Sequence, residues 1–532
     1  MAVVRQLLDR RERRSAVAAV VATAVGLAAG ELLTALIPTT ASPYVAVGNQ
    51  LIDRTPRAVK DWAIAQFGTA DKPVLLSGIA LGLLVATVVV GVVAGKRPRA
   101  GIALFLAVGL IGAVTAVLDR SASAALVTRL LVAAAALAVG LLAFLLLLRL
   151  ARRPEQPTLH SPSTSVETGT VERPDGTVVP FDRRAFLLTA SALGVAAVAG
   201  GAVAQAVSTS DTGAAITLPR PADPAKAVPA GTALKVPGIT SYITPNDTFY
   251  RVDTALRIPR LTVADYQLRI HGLVDNPRTY SFADLLGRRL VERRITLTCV
   301  SNPVGGPYAG NAAWLGVPLR ELLAEAGVHD GADAVKSTSS DKMTIGTPLQ
   351  ALTDGRDALV AIGMNGEPLP GEHGFPVRMV VPGLYGYVSA TKWLVDLEVT
   401  RFADFKAYWT SRGYSEKAPI KTAARIDVPR SFARVQPGPV DIAGVAWAQH
   451  RGITKVQVQV DDEAWQDADL AAADGIDTWR QWHWSWTANG AGNHRLQVRA
   501  TDADGNTQDS RRAPVAPDGS TGWHSVSVTV EK

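Results

Sequence analysis

The sequence predicts a multidomain chain: an N-terminal transmembrane helix bundle, a central α+β domain and a C-terminal immunoglobulin-like β-sandwich. Three observations predict it. Hydrophobic residues make up 48% of the 532 and gather in the N-terminal two-fifths, in runs longer than the roughly 18 residues that cross hydrocarbon. Residues 238–417 carry short mixed elements between long loops. Residues 418–532 carry short strand-like runs separated by turns.

Apolar spans are read at 15–38, 73–95, 101–118, 122–150 and 186–207, the first four forming a bundle over 1–152. Arg129 interrupts the fourth span and, near a helix end, is read as snorkelling to the interface. Arg5, Arg10, Arg11, Arg13 and Arg14 precede the first span. Lys96, Arg97 and Arg99 separate the second from the third, and Arg149, Arg152 and Arg153 follow the fourth. These clusters belong on the cytoplasmic side, although Arg54, Arg57 and Lys60 in the first outer loop weaken the count.

Residues 153–182, rich in Pro, Ser, Thr and Glu, read as a cytoplasmic linker. Residues 183–207 then carry the rest of the chain to the other side. Their entry, Asp182-Arg183-Arg184-Ala185-Phe186-Leu187-Leu188, resembles a twin-arginine export signal, the route for proteins already folded around a cofactor. Paired arginines before an apolar helix also serve as plain topology anchors. Residues 208–237 read as a second linker. The expected location is a bacterial cell membrane, multi-pass, with the later domains extracytoplasmic. Much of the formal charge of +7 sits at membrane flanks, so it points to membrane lipid and away from nucleic acid.

In the central region, 266–274 alternates like a strand, 281–290 and 318–327 read as short helices, and 377–382 and 393–399 read as strands around the turn Gly383-Leu384-Tyr385-Gly386. No glycine-rich phosphate loop joins a strand to a long helix, which argues against a dinucleotide fold. Cys299 is the single cysteine. It follows a β-branched run in Ile295-Thr296-Leu297-Thr298-Cys299-Val300-Ser301-Asn302. A solitary thiol forms neither an intramolecular disulfide nor a multi-cysteine zinc site, which leaves a soft metal ligand, a nucleophile or inert packing.

Downstream motifs choose among these. Met364-Asn365-Gly366-Glu367-Pro368-Leu369-Pro370, His373-Gly374-Phe375-Pro376-Val377-Arg378, Val381-Pro382-Gly383 and Lys392-Trp393-Leu394 succeed one another. In this order they resemble the sulfite oxidase and plant-type nitrate reductase superfamily of molybdopterin enzymes, from about residue 239 to the C-terminus. Cys299-Val300-Ser301-Asn302 resembles that family's molybdenum-ligand loop, and Thr248-Phe249-Tyr250-Arg251 its upstream cofactor segment.

The resemblance implies a molybdenum-molybdopterin cofactor in a sulfite-oxidase-type domain, with Cys299 as metal ligand and catalytic centre. It places His373 and Arg378 at the pterin and Ala390, Thr391 and Lys392 around its phosphate. Asn246, Tyr250, Arg251 and Ser339 supply further contacts. The chemistry agrees: molybdenum held by a dithiolene takes one soft anionic protein donor, and a phosphate takes fixed cations.

The chain departs from the family where substrate binds. Sulfite oxidases carry an arginine a few residues before the Lys-Trp pair, and here Ser389 stands there. Pro303 and Val304 replace the basic pair after the ligand loop. Each missing guanidinium removes a charge-assisted hydrogen bond contributing roughly 1.5–3 kcal/mol. The expectation is two-electron oxygen-atom transfer to or from a small substrate. A sulfoxide- or N-oxide-type reductase of the same superfamily is the alternative, and a non-catalytic anchored binding protein with a degenerate cofactor domain is the other.

No Cys-x-x-Cys-His is present, so electrons are expected to leave to a separate carrier: cytochrome c, a quinone or a membrane redox subunit. Residues 1–152 hold no histidine and so lack paired haem ligands. In the C-terminal domain, 423–428, 438–448, 454–460, 478–486, 494–501 and 523–530 are the expected strands. They resemble the sulfite oxidase dimerisation domain, which implies a possible homodimer. Trp465, Trp479, Trp482, Trp484 and Trp486 are read as core and edge packing.

Overall fold

The structure, a computed structural model, describes residues 9–37, 39–56, 59, 62–63, 66–67, 71–122, 124–153, 182–209 and 216–532. Residues 154–181 of the linker expected over 153–182, residues 210–215 of the next, and Arg5, Arg57 and Lys60 lie outside them. The chain divides into two compact units, 1–211 with 255–257, and 212–254 with 258–532.

The first unit is helical: Arg10–Leu36, Pro43–Arg54, Asp71–Lys96, Pro98–Val117, Leu126–Ala151 and Arg183–Thr209. Among the described residues, five helices are long and apolar enough to cross a membrane, Arg10–Leu36, Lys72–Lys96, Pro98–Val117, Leu126–Ala151 and Arg183–Val203. Asp9 and Glu12 start the first with a reciprocal capping box. The interior combines alanines and glycines with a few large side chains, Phe105, Phe144, Leu147 and Leu148. A Cβ on Gly91 would stand 2.4 Å from Ala16 Cα, and one on Gly26 would stand 3.1 Å from Gly140 Cα, so these helices meet backbone to backbone. Large side chains such as Leu81, Leu131 and Leu142 face outward.

The sequence reading missed the helix Pro43–Arg54, which is too short for a span. Its start is set by Ser42, whose hydroxyl caps the first turn, and by Pro43. The span expected from 122 begins at Leu126, because Asp119 first turns the chain. Its carboxylate accepts from Ser121 N–H and from Asn49 Nδ2, each at 2.8 Å. Arg129 donates to the carbonyl of Val117 at the neighbouring helix end, 2.8 Å away.

The second unit holds four sheets. One orders Arg278–Ser281, Gln267–Gly272, Leu394–Thr400, Ala334–Ser339 and Thr344–Pro348, with Gln267–Gly272 parallel to Leu394–Thr400. The next pairs Val291–Thr298 with Ala309–Pro318 over its whole length and continues through Leu359–Met364 to Glu367–Pro368 and Arg378–Val380. The helix expected over 281–290 covers only Phe282–Leu286. Gly287 N–H already closes on the carbonyl of Ala283, and the next strand starts at Val291. The helix Leu319–Ala326 ends on Gly327 at φ 69°, a left-handed position that suits glycine.

The last two sheets form a sandwich. One orders Ala423–Val428, Gly438–Trp447, Arg480–Ala488 and Asp469–Leu470, the other Ala433–Val435, His524–Val530, Gly492–Asp502, Ile453–Val460 and Gln466–Asp467. Ile442 and Trp482 from the first and Val458, Val498 and Val528 from the second share one buried core. Trp479 and Trp482 are fully buried, and Trp465 lies edge-to-face on Trp523. Three strands of two or three residues, 433–435, 466–467 and 469–470, are too short to show a pattern in sequence.

Candidate active site

The antiparallel pair Val291–Thr298 and Ala309–Pro318 delivers Cys299 to the end of a strand. The loop then closes on itself: Cys299 N–H donates to Tyr308 O (2.9 Å), Asn302 N–H to Cys299 O (3.1 Å) and Tyr308 N–H to Asn302 Oδ1 (2.9 Å). Ser301 N–H points at the thiol, 3.4 Å from Sγ. Cys299 is buried yet lines an inner cavity, whose space, counting its open mouth, is about 820 Å³. Burial pushes the thiol up, against the opposing pull of Ser301 and Lys392. A metal that takes it as thiolate releases a proton.

The strand Arg378–Val380 brings a further group to the cavity, and the turn before it sets another behind the wall. Arg378 donates through Nη1 to His373 O (3.0 Å) and stacks 4.9 Å from the Trp314 ring centre. Its buried Nε has no partner, and among the described residues no carboxylate forms an ion pair with it. Burial lowers its pKa to about 10. His373, 1% exposed, meets Asn246 O at 2.9 Å through Nε2. That carbonyl can only accept, so Nε2 carries the hydrogen and Nδ1 holds a lone pair. Nδ1 is buried and unpaired, and burial holds the ring's pKa at about 4. Gly374 makes the turn possible: at φ 111°, its missing Cβ would sit 3.1 Å from both Arg378 Cβ and Lys392 Cα.

Lys392, on the segment beside Arg378, lines the same cavity. Its Nζ donates to Glu372 O (2.8 Å) and to Asp253 Oδ2 (3.1 Å), and burial lowers its pKa to about 8. Asp253 also accepts from Arg251 Nε at 3.0 Å. Trp393 fixes the following turn through Nε1 to Gly371 O (2.9 Å).

Of the sequence-derived candidates, Tyr250, Cys299, Ser339, Arg378, Ala390 and Lys392 line the one cavity. Asn246 and His373 stand behind its wall, joined to each other. Thr391 is buried against Ser337, 2.6 Å between hydroxyls, and Arg251 is exposed with its guanidinium on Asp253. Sequence reasoning missed Asp253, Asp341, Tyr387, Trp409 and Tyr414, which also line the cavity. Asp253 had one signal, its place two residues after Arg251. Asp341, which takes the hydroxyl hydrogen of Ser339, had none.

This inner cavity fits an anionic, metal-bearing pterin. Two buried cations, Arg378 and Lys392, line it, and the unpaired N–H of Arg378 and the unpaired lone pair of His373 are each unfavourable without a partner. Among the described residues no group of three or more His, Cys, Asp or Glu side chains is placed to hold a metal ion. A metal beside Cys299 therefore needs donors that its own cofactor brings.

A second, outer cleft, about 1550 Å³ counting its open side, lies along the same loop, against Thr298 and Asn302–Gly305 and bounded opposite by the sandwich. Three of its four lining cations are matched, and the fourth, Arg512, forms no ion pair among the described residues. Lys421 meets Asp518, Arg451 meets Asp502 and Arg511 meets Asp509, each at 2.9 Å. Pro303 and Val304 present no charge to it. Ser389 is buried with its hydroxyl on Leu384 O and Tyr385 O, so it offers nothing to an anion.

A family model described as oxidoreductase molybdopterin binding domain matches residues 255–409. Sulfite oxidase of Gallus gallus is 30% identical over 324 residues, 52% of this chain and 70% of that protein. Mitochondrial sulfite oxidase of Mus musculus is 30% identical over 343 residues, and the chain spans 62% of its length against 54% of its own. Among solved structures, the sulfane dehydrogenase SoxCD from Paracoccus pantotrophus aligns at 25% identity and a TM-score of 0.48, over 55% of this chain and 85% of that one.

Proposed function

Because the chain belongs to the sulfite oxidase superfamily of molybdopterin-dependent oxidoreductases, we propose that it is a membrane-anchored, extracytoplasmic enzyme that moves an oxygen atom to or from a small substrate of low net charge. The observation that carries this reading is Arg378: a buried guanidinium with an unpaired Nε and no carboxylate, in the same cavity as the only thiol of the chain. When bound, the molybdenum group supplies two-electron oxygen-atom exchange. Cys299 gives the metal its protein donor. Arg378 and His373 hold the pterin, Lys392 its phosphate, with Asn246, Tyr250, Arg251, Ser339, Ala390 and Thr391 completing the surround.

Substrate approaches through the outer cleft in this reading. There Lys421, Arg451 and Arg511 are already met by carboxylates, Pro303 and Val304 carry no charge, and Arg512 alone is left to meet an anion, too little to grip a doubly charged oxyanion. This supports a neutral oxide, of sulfoxide or N-oxide type, over sulfite. Residues 1–152 and 183–207 anchor the chain in lipid, 238–417 form the catalytic domain, and 418–532 form an immunoglobulin-like domain through which two copies pair. A separate electron carrier completes the cycle.

Metal and pterin analysis of the full-length exported chain tests the assignment: about one molybdenum per chain supports it. No molybdenum, after expression with ample molybdate and intact export, overturns it in favour of a non-catalytic binding protein. Oxidation of a reduced dye by neutral oxides, with no turnover of sulfite, checks the substrate class.

A further inference from the structure

The loop that carries Cys299 is short of regular structure, yet groups from the C-terminal sandwich grip it before and after the thiol. Before it, Gln449 Nε2 donates to Thr296 O (2.8 Å) and to Thr298 Oγ1 (3.0 Å). Trp479 N–H donates to Thr296 Oγ1 (2.8 Å), and Thr296 N–H to Asp477 O (2.9 Å). After it, Ser520 Oγ donates to Asn302 O (2.7 Å), and Arg425 Nη1 to Gly306 O (2.9 Å). Asp427 holds that guanidinium at 2.6 Å.

Two details show that these contacts are demanding. Gln449 is fully buried, and its Oε1 has no partner. A buried amide that leaves its own acceptor unpaired is unfavourable by itself, so its two donated bonds are what it contributes. Gly305, at φ 77°, lies so close to the His524 ring that a Cβ would fall 2.0 Å from Cδ2. The imidazole is in turn held by Ile426 N–H on Nδ1 (3.0 Å).

We propose that the sandwich is a working part of the metal centre, with Gln449 and Ser520 as positioning residues that set where the Cys299 sulfur stands. The proposal rests on the functional reading above for its importance to catalysis, but the clamp itself is tested without the cofactor. Groups that orient a metal ligand from behind change affinity or activity by roughly 10–100-fold when removed.

The full chain is made in a host that cannot synthesise the pterin, and alkylation of its one thiol by iodoacetamide is timed. Gln449→Met keeps the volume and deletes the orphaned carbonyl, and Ser520→Ala removes the other grip. Ser520→Ala, which loses one hydrogen bond, is expected to speed alkylation roughly five- to tenfold through the local opening equilibrium, and Gln449→Met, which loses two, by at least as much. Val498→Ala, in the sandwich core, loosens the domain without touching the loop and is the control, expected to leave the rate within about twofold. In loaded protein, the electron paramagnetic resonance g-values of the centre should shift in the two loop variants and not in the control.

Equal alkylation rates in all four proteins overturn the proposal, as does a Val498→Ala rate matching the loop variants. Accelerated alkylation in a chain that never acquires molybdenum upholds the clamp while the enzyme assignment falls, so the two failures are distinguishable.

Discussion

The inner cavity and the outer cleft flank one loop and differ in where an arginine without a carboxylate stands: Arg378 is buried inside, whereas Arg512 is exposed outside. In the outer cleft, Lys421, Arg451 and Arg511 each meet a carboxylate. Inside, Arg378 donates to a carbonyl and leaves Nε unmatched. A protein keeps an unmatched buried cation at a cost in stability, a cost that Arg378 carries and that the solvated Arg512 of the cleft does not. Family membership speaks for the chemistry inside. It says much less about the cleft, where this chain has replaced the expected basic residues.

The sharpest way to break the contrast is at the thiol. Cys299→Ser should reduce turnover to background while the chain stays folded by circular dichroism; an active, metal-loaded serine variant would refute the ligand assignment. Next, the two arginines should differ in sign. Arg451→Met strands Asp502, which is 1% exposed, and should destabilise by about 3–5 kcal/mol in denaturant titration. Arg378→Met removes a cation that has no partner anion, so cofactor-free protein should lose no stability while pterin content after purification collapses. Equal losses in the two variants would erase the distinction.

A pH series sharpens it further. Burial holds His373 at about 4 against an ordinary value of 6.5. As pH falls, the unfolded chain therefore takes up its proton first. Stability from this group is intact above 6.5 and is lost between 6.5 and about 4, by up to about 1.4 kcal/mol per pH unit. His524 behaves alike, also held near 4 by burial. His373→Gln should reduce the acid slope of cofactor-free protein; an unchanged slope would mean His373 is not protected. The smallest effect belongs to the cleft rim. Lys421 and Asp518 form a part-exposed pair, a kind contributing about 0–1 kcal/mol, so Lys421→Met should move the KM for a neutral oxide by less than about twofold in steady-state assays.

Much of the inner cavity was legible because its groups come in compact motifs. His373-Gly-Phe-Pro-Val-Arg378 and Lys392-Trp393 each place a donor a fixed few residues from a turn, and a motif survives as a linear pattern. Asp253 and Asp341 are lone carboxylates with no periodicity around them, and only the folded chain brings them to the wall. The grip on the ligand loop was less legible still: Gln449 meets Thr296 across 153 residues, and Ser520 meets Asn302 across 218. Boundaries of the apolar helices slipped for a local reason, since a hydropathy run cannot show the turn that Asp119 imposes on the chain.

The backbone contacts at Gly91 and Gly26 invert the usual map of tolerance. In a water-soluble core the bulkiest side chains are the ones that resist exchange. Here one added methyl at Gly91 would press on the Ala16 backbone from 2.4 Å, whereas Leu81 or Leu142 on the outer surface can trade places with any similar oily residue. A saturation library of this region should therefore lose Gly91 and Gly101 first and tolerate change at Gly78 and Gly82, where a Cβ meets nothing within 4 Å.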